Sequence, residues 1–374
     1  MERRTLRRAL PLAGEAATVW LRYNFVEPLR STPSLPRAMH YISTHRCNAR
    51  CAMCGIWKNQ NAPDEELSPE GLRAILGDRL FARMEYFGLS GGEPFLRRDL
   101  VELVVAILES CTRLKRLSIT TNGLLPERVE RTLPAIASRC RKAGVLLDVS
   151  VSVHGMDEVL DRIYGVPGAF DRIERTTGTL ARMRAEGALT FSFNCVLLAG
   201  NLDSVRRLQE WARQREIPIA FVMGEQRERF FTEGLEEAFL DPAAGSELLA
   251  FLSERAEDPS LSAVQAEKYR ELVRVLEGRG PRRLSCYYAM GGLLLGFDGR
   301  LYYCSHSREI GDCTRRSAYE IYTDPANLKY RRRELFGAEC RTCPPYTRTR
   351  WEIEKDLPRM LLASLRRRIG RPAR

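Results

Sequence analysis

The sequence predicts an α/β fold, a partial (β/α)6 TIM-like barrel followed by a small C-terminal α+β domain. Two observations carry that expectation. From about residue 38 to residue 230, short apolar, β-branched runs alternate with longer helical patterns. Such alternation implies a parallel sheet with right-handed crossovers and helices outside. Six units fall short of the eight in a closed barrel, so the sheet is expected to stay open.

In chain order, strands are expected in MHYIST (39–44), MEYFGLS (84–90), RLSITT (116–121), VLLDVSVSV (145–153), LTFSFNCVL (189–197) and IPIAFVM (217–223). The helical patterns between them are SPEGLRAIL, RRDLVELVVAILESC, PERVERTLPAIASRCRKAG, GAFDRIERTTGTLARMRAEG and LDSVRRLQEWARQRE. The first has Ser68 as N-cap and Pro69 at the first helical position. Gly144 and Gly187 stand where helices should stop. Ahead of the barrel (38–230) lies a basic arm, 1–37, whose Pro28, Pro33 and Pro36 argue against a folded domain. Residues 231–280 read as two charged linking helices. GLLLGFDGRLYYC (292–304) reads as a hairpin turning at Asp298-Gly299, inside a domain spanning 281–345. A basic helix, 346–374, follows.

No apolar run approaches the roughly 18 residues of a spanning helix, and no apolar core follows the basic N-terminus as in a secretory signal. The expected compartment is therefore the cytoplasm. The net charge of +11 gathers at the ends, in MERRTLRRAL and LLASLRRRIGRPAR. A solvated arm is the first reading of such ends. Membrane-surface association is the second: Leu357, Leu361, Leu365 and Ile369 recur at helical spacing opposite Arg359 and Arg366, although Arg368 falls on the apolar side. Nucleic acid is disfavoured, because no aromatic residues interleave with the basic runs.

Eleven cysteines in a reducing compartment do not read as disulfides. Three lie at 47–54 and five between 286 and 343, with Cys111, Cys140 and Cys195 apart, and clustered thiols point to metal. Cys47, Cys51 and Cys54 follow the first strand, at the end of the sheet where chemistry collects in parallel α/β folds. A closed zinc site takes four protein ligands. Three thiolates on a 4Fe–4S cluster leave one iron open. A three-thiolate zinc site with a distant fourth ligand is the alternative. Coincidental core cysteines are disfavoured in a loop that also carries Asn48, Arg50 and Lys58.

With Met53 in its apolar place, this C-x-x-x-C-x-x-C triplet resembles the signature of the radical SAM superfamily. The resemblance implies that Cys47, Cys51 and Cys54 hold a 4Fe–4S cluster whose open iron chelates S-adenosyl-L-methionine (SAM). An electron from a donor such as flavodoxin or ferredoxin then releases a 5′-deoxyadenosyl radical that abstracts a substrate hydrogen. In LSGGEPFLRRDL, the residues Gly91, Gly92, Glu93 and Pro94 resemble the segment that contacts the methionine amino group. Glycines admit a close approach, and Glu93 offers a carboxylate. TTNG, with Asn122, and SVSVHG, with Ser150 and Ser152, resemble the next two strand ends; Ser152 is the implied cofactor contact and Ser150 shares its side of the strand. Many relatives read SxDG and then RG. Here His154 takes the acidic place and Tyr164 precedes Gly165, which puts an arginine contact there in doubt. His154, as acid/base, and Cys195, as hydrogen-atom donor, are the catalytic candidates. A hydrogen-bonded structural histidine and a small buried core cysteine are the readings set first.

Cys286, Cys304, Cys340 and Cys343 resemble the ligands of a SPASM/Twitch-type C-terminal domain. No cysteine follows Cys343, so the resemblance implies the Twitch form, with one auxiliary 4Fe–4S cluster. A four-cysteine zinc site is the alternative. Cys313 is read as a bystander, and His306 as a ligand that four thiols make unnecessary. With neither a leader-recognition nor a cobalamin domain expected ahead of the barrel, the implied substrate is a small molecule or a lipid-linked one. A maturase acting on a peptide is the runner-up. A non-catalytic iron–sulfur or zinc sensor is the rival class, and GGEP beside an intact triplet disfavours it.

Overall fold

The computed structural model describes residues 20–27, 30, 32–224, 230–235, 245–284, 286–336, 340, 343, 356 and 358. Six parallel strands are laid down in sequence: β1 (Ala38–Ile42), β2 (Tyr86–Ser90), β3 (Arg116–Thr121), β4 (Leu146–Ser152), β5 (Thr190–Leu197) and β6 (Ile219–Met223). The expected six-strand open barrel is therefore present. The crossovers carry α1 (Pro69–Leu76), α2 (Leu100–Ser110), α3 (Pro126–Lys142), α4 (Asp157–Tyr164), α5 (Ala169–Ala185) and α6 (Leu202–Gln214). Ser68 Oγ accepts from Gly71 N at 3.1 Å, so the cap expected at α1 is made.

The sheet does not end at β1. The C-terminal segment returns as β7 (Gly292–Leu295), parallel to β1 in the register Ala38↔Gly292, and β8 (Arg300–Tyr302) and β9 (Glu309–Asp312) follow antiparallel. The strand order is β6-β5-β4-β3-β2-β1-β7-β8-β9. The expected hairpin exists, but it extends the barrel sheet. By contacts, Leu35–Asp241 with Gly292–Asp324 forms one compact unit, and Met1–Ser34, Pro242–Gly291 and Pro325–Arg374 form another. These divisions differ from boundaries at 231, 281 and 346, because pairing of β7 with β1 draws residues 292–324 to the barrel. In the other unit, α7 (Ser246–Glu257) and α8 (Ala263–Leu276) are the two charged helices expected there, the latter opened by a Ser262–Gln265 capping box.

Period-two alternation gives the barrel strands two unlike faces. Val149 and Val151 pair in register with Phe191 and Phe193, and Phe193 stacks on Trp211 of α6 at 5.9 Å, so this face is the one that helices cover. The opposite face presents Ser118, Thr120, Asp148, Ser150, Ser152, Ser192 and Asn194. Parallel strands buried on both faces ordinarily read as continuous apolar runs. Here one face is polar and mostly half-exposed, which suits a sheet lining a space for a polar ligand. The basic opening segment before Trp20 lies outside the described residues, as does the basic closing helix apart from Asp356 and Pro358. Among the described residues no helix is long and apolar enough to cross a membrane.

A candidate cofactor site at the carboxyl ends of the strands

The cysteine loop leaves β1 and is fastened backbone to backbone by three other parts of its unit. Gly92 N donates to Thr44 O at 2.7 Å and Glu93 N to Arg46 O at 2.8 Å, tying it to the exit of β2. Arg50 N reaches Tyr164 O at 2.7 Å and Ala52 N reaches Ile163 O at 2.8 Å, tying it to the end of α4. Gly55 N donates to Phe230 O at 2.8 Å, tying it to the segment after β6. The thiols of Cys47, Cys51 and Cys54 lie within electrostatic range of one another, and burial pushes all three up, Cys47 to about 12. Ligation requires thiolates, so a cluster binding here releases protons. Among the described residues no three His, Cys, Asp or Glu side chains are gathered as around a single ion. Cluster ligands sit on separate irons and need no such convergence. Three acidifiable thiols on one loop, beside a polar sheet face, fit the donor set of a three-thiolate cluster.

The glycines of GGEP prove to serve the chain itself. A Cβ on Gly91 would lie 2.2 Å from Thr44 O, and one on Gly92 would lie 2.2 Å from Arg46 O. Gly91 also has φ of 145°. Close approach was the right inference, but the partner in the structure is the backbone leading into the cysteines. Glu93 is fully buried, and its carboxylate accepts from Phe95 N (3.0 Å), Thr121 Oγ1 (2.9 Å) and Asn122 N (2.7 Å). Burial raises its pKa to about 7 against these three donors. Glu93 thus joins the ends of β2 and β3. Pro94 opens the short 3-10 turn that follows. Asn122 carries the chain of contacts on, with Nδ2 2.8 Å from Asn48 Oδ1 and 3.8 Å from Cys47 Sγ.

Ser150 and Ser152 lie on the polar face, and the Ser152 carbonyl accepts from Tyr164 OH at 2.5 Å. Tyr164, in the place where an arginine was in doubt, is buried, with its ring edge-on to His154 at 5.5 Å. Gly165 has φ of 60°, and a Cβ there would meet Arg50 Cβ at 3.0 Å, so this turn also seats the cysteine loop. His154 is buried; Val196 N–H donates to its Nδ1 at 3.1 Å, which leaves the ring proton on Nε2. Desolvation lowers its pKa to about 3. A histidine held neutral in the fold but protonated when unfolded destabilises the fold as pH falls from about 6.5 toward 3, by on the order of 5 kcal/mol at the limit. His154→Gln keeps an acceptor for Val196 and should flatten this acid slope in urea titrations between pH 7 and 4; parallel curves would show that the imidazole does not carry it.

Cys195 lies on the helix-covered face, in line with Phe191 and Phe193, away from the polar face of Ser150 and Ser152. Its Sγ is 3.8 Å from Val196 O, and it is fully buried. That placement suits packing rather than hydrogen-atom donation. Cys195→Ala should cost about 1–2 kcal/mol of stability and leave SAM cleavage unchanged, as read by denaturation and by 5′-deoxyadenosine yield.

A charged network under the loop was missed by sequence reasoning. Glu66 takes Arg46 Nε at 2.8 Å and Nη2 at 2.9 Å, and Thr44 Oγ1 at 2.5 Å. Arg97, only 4% exposed, donates to Ser43 O and Leu67 O, both at 2.8 Å, and pairs with Asp99 at 2.7 Å. Its sole sequence signal was a pair of arginines just after GGEP.

Of the second cysteine set, Cys286, Cys340 and Cys343 belong to the helical unit and Cys304 to the barrel unit. Within the helical unit, Arg282 is in hydrogen-bonding range of Cys340 and in charge range of Cys286 and Cys343. In the barrel unit, Cys313 lines a cavity of about 460 Å³ with Asp78 and Thr314; burial, Asp312 and Asp78 raise its thiol to about 12, which keeps it protonated.

A family model described as the radical SAM superfamily matches residues 41–212. GTP 3′,8-cyclase of Pectobacterium atrosepticum is 30% identical over 210 residues, covering 51% of this chain and 56% of that protein. Fe-coproporphyrin III synthase of Methanosarcina barkeri is 32% identical over 151 residues, covering 40% of this chain and 35% of that protein. The solved structure of native anSMEcpe with bound AdoMet and Cp18Cys peptide superposes with a TM-score of 0.56 at 17% identity, covering 88% of this chain and 98% of that one, a likeness of fold. The chain spans about half the length of the cyclases it matches. The family match, the open parallel barrel and the three loop thiols together make residues 41–212 similar to the radical SAM superfamily.

Proposed function

We propose that this chain is a radical SAM enzyme that abstracts a hydrogen from a small-molecule or lipid-linked substrate. The observation that carries the reading is the cysteine loop, fastened by β2, α4 and the segment after β6 at the carboxyl ends of a sheet whose free face is polar. Cys47, Cys51 and Cys54 would hold the cluster, which supplies reductive cleavage of SAM to the 5′-deoxyadenosyl radical. The chain's own residues then have separable tasks. Gly91, Gly92 and Glu93 fix the loop's backbone, Asn122 steadies Asn48 beside Cys47, and the hydroxyls of Ser150 and Ser152 face the ligand space. His154 holds a strand in place and moves no proton at neutral pH.

GTP 3′,8-cyclase and Fe-coproporphyrin III synthase are named for a nucleotide and a porphyrin, both small molecules, and this supports the substrate class. A peptide substrate is the second reading, since the solved structure of similar fold holds a bound peptide. Cys286, Cys304, Cys340 and Cys343 are assigned an auxiliary 4Fe–4S cluster, and a flavodoxin or ferredoxin the role of electron donor. The test is anaerobic incubation of reconstituted protein with SAM and dithionite, with 5′-deoxyadenosine quantified in the presence of candidate substrates. Formation of 5′-deoxyadenosine is expected. None, at full iron loading and across both small-molecule and peptide panels, would favour a non-catalytic cluster protein.

A further inference from the structure

Five large apolar residues are exposed among the described residues, and three of them fall within one turn of the helical unit. Leu21 is 51% exposed, Phe25 56% and Val26 51%. Isolated apolar residues on a surface need no explanation, but a group on one side of one turn does. Glu27 N donates to Arg22 O, the i→i+5 bonding of a π-helical turn over Arg22–Val26. So wide a turn sets Phe25 and Val26 together on the side of Leu21, while Tyr23 is buried on the other. The turn is braced. Glu27 Oε1 accepts from Ser34 N at 2.5 Å and Oε2 from Ser34 Oγ at 2.7 Å, and Arg22 Nη2 donates to Ser34 Oγ at 2.6 Å. The Trp20 ring lies edge-on to Phe25, with centroids 5.3 Å apart. A held segment, not a fraying end, therefore displays the apolar face.

We infer that this face docks on an anionic lipid surface. Two features select that occupant. Three side chains are too few for the core of a stable protein interface, which takes about 20–30 residues a side. They suit shallow insertion at the boundary of headgroups and acyl chains, where Trp beside Leu and Phe is the usual composition. The charge also has the matching sign. Residues 1–34 hold six arginines against three glutamates, with no lysine or aspartate, in a chain of net charge +11. Basic residues tethered to an inserted apolar face draw it toward anionic headgroups. The inference does not depend on the proposed radical chemistry.

Co-sedimentation of the full-length protein with vesicles tests it, comparing phosphatidylcholine alone with an equimolar mixture of phosphatidylcholine and phosphatidylserine. Binding to the mixed vesicles should be at least about tenfold tighter than to the neutral ones. Leu21→Ser combined with Phe25→Ser should lower affinity for the mixed vesicles at least about tenfold, with the circular dichroism spectrum unchanged. Leu146→Ser, at a leucine 62% exposed in the barrel unit, is the control and should leave binding unchanged. No binding by the parent, equal binding to both vesicle types, or equal binding by the parent and the double variant would each overturn the inference. So would an equal loss in Leu146→Ser. A parent dimer that the double variant dissociates, with no vesicle binding by either, would assign the face to a second copy and overturn it too. Should the double variant unfold, Val26→Asp decides: a tenfold loss supports the inference, and unchanged binding overturns it.

Discussion

Cys51→Ala is expected to reduce 5′-deoxyadenosine formation to background. Cys51 is the middle thiol of the loop, and its neighbours Arg50 and Ala52 both donate to the end of α4 through the backbone. Those main-chain bonds do not depend on the thiol, so the loop should keep its path while one iron loses its ligand. The buried thiol's packing should cost only about 1–2 kcal/mol. Loss of activity would therefore exceed loss of stability by a wide margin. With the proposed auxiliary 4Fe–4S cluster in place, iron content should fall to about half, since two such clusters carry equal iron, and Cys340→Ala should remove the other half. Measurement of iron and 5′-deoxyadenosine on the two variants separates the sites. Cleavage surviving in Cys51→Ala would sink the assignment of the triplet, and no iron lost in Cys340→Ala would sink that of the auxiliary site.

Gly92→Ala should be among the most damaging single-methyl additions in the barrel. The new Cβ would lie 2.2 Å from Arg46 O and 2.7 Å from Arg46 C, both backbone atoms that move only if the cysteine loop moves. We expect a loss of more than about 3 kcal/mol and of the triplet's iron, with the auxiliary iron retained. Gly144→Ala is the internal control. It also has positive φ, 68°, but no atom within 4 Å of the added carbon, so only the backbone cost of about 1 kcal/mol applies. Chemical denaturation with iron analysis compares the two. Equal losses would mean that the loop can yield, and that the close approach is not what fixes glycine at 92.

The barrel strands could be read from sequence because their apolar periodicity is local, and β3 was placed to the residue. The pairing of β7 with β1 could not, since nothing in GLLLGFDGRLYYC names its partner strand. The cysteine triplet was readable as a candidate because its spacing is itself a local pattern. The use made of GGEP was readable only in part: the need for close approach is written in the glycines, whereas the identity of what approaches, Thr44 and Arg46, is tertiary. Glu66, Arg46 and Arg97 look like surface charges in a loop and become a buried network only once β1 and the turn after β2 are brought together. His154 and Cys195 show the reverse. Each chemically suggestive side chain is accounted for by its strand neighbours.

The parallel pairing Ala38↔Gly292 also orders the protein's birth. Chains emerge and fold from the N-terminus, so β1 can find β2 early, while its other edge stays open until β7 has been made. An uncovered strand edge invites pairing with other chains, and here that edge belongs to the strand that launches the cysteine loop. Assembly of this sheet edge thus begins with β1 and is finished only once Gly292–Leu295 has been made. A ribosome stalled before residue 292 would present Cys47, Cys51 and Cys54 on an unfinished sheet, so loading of the proposed cluster is best timed to follow synthesis.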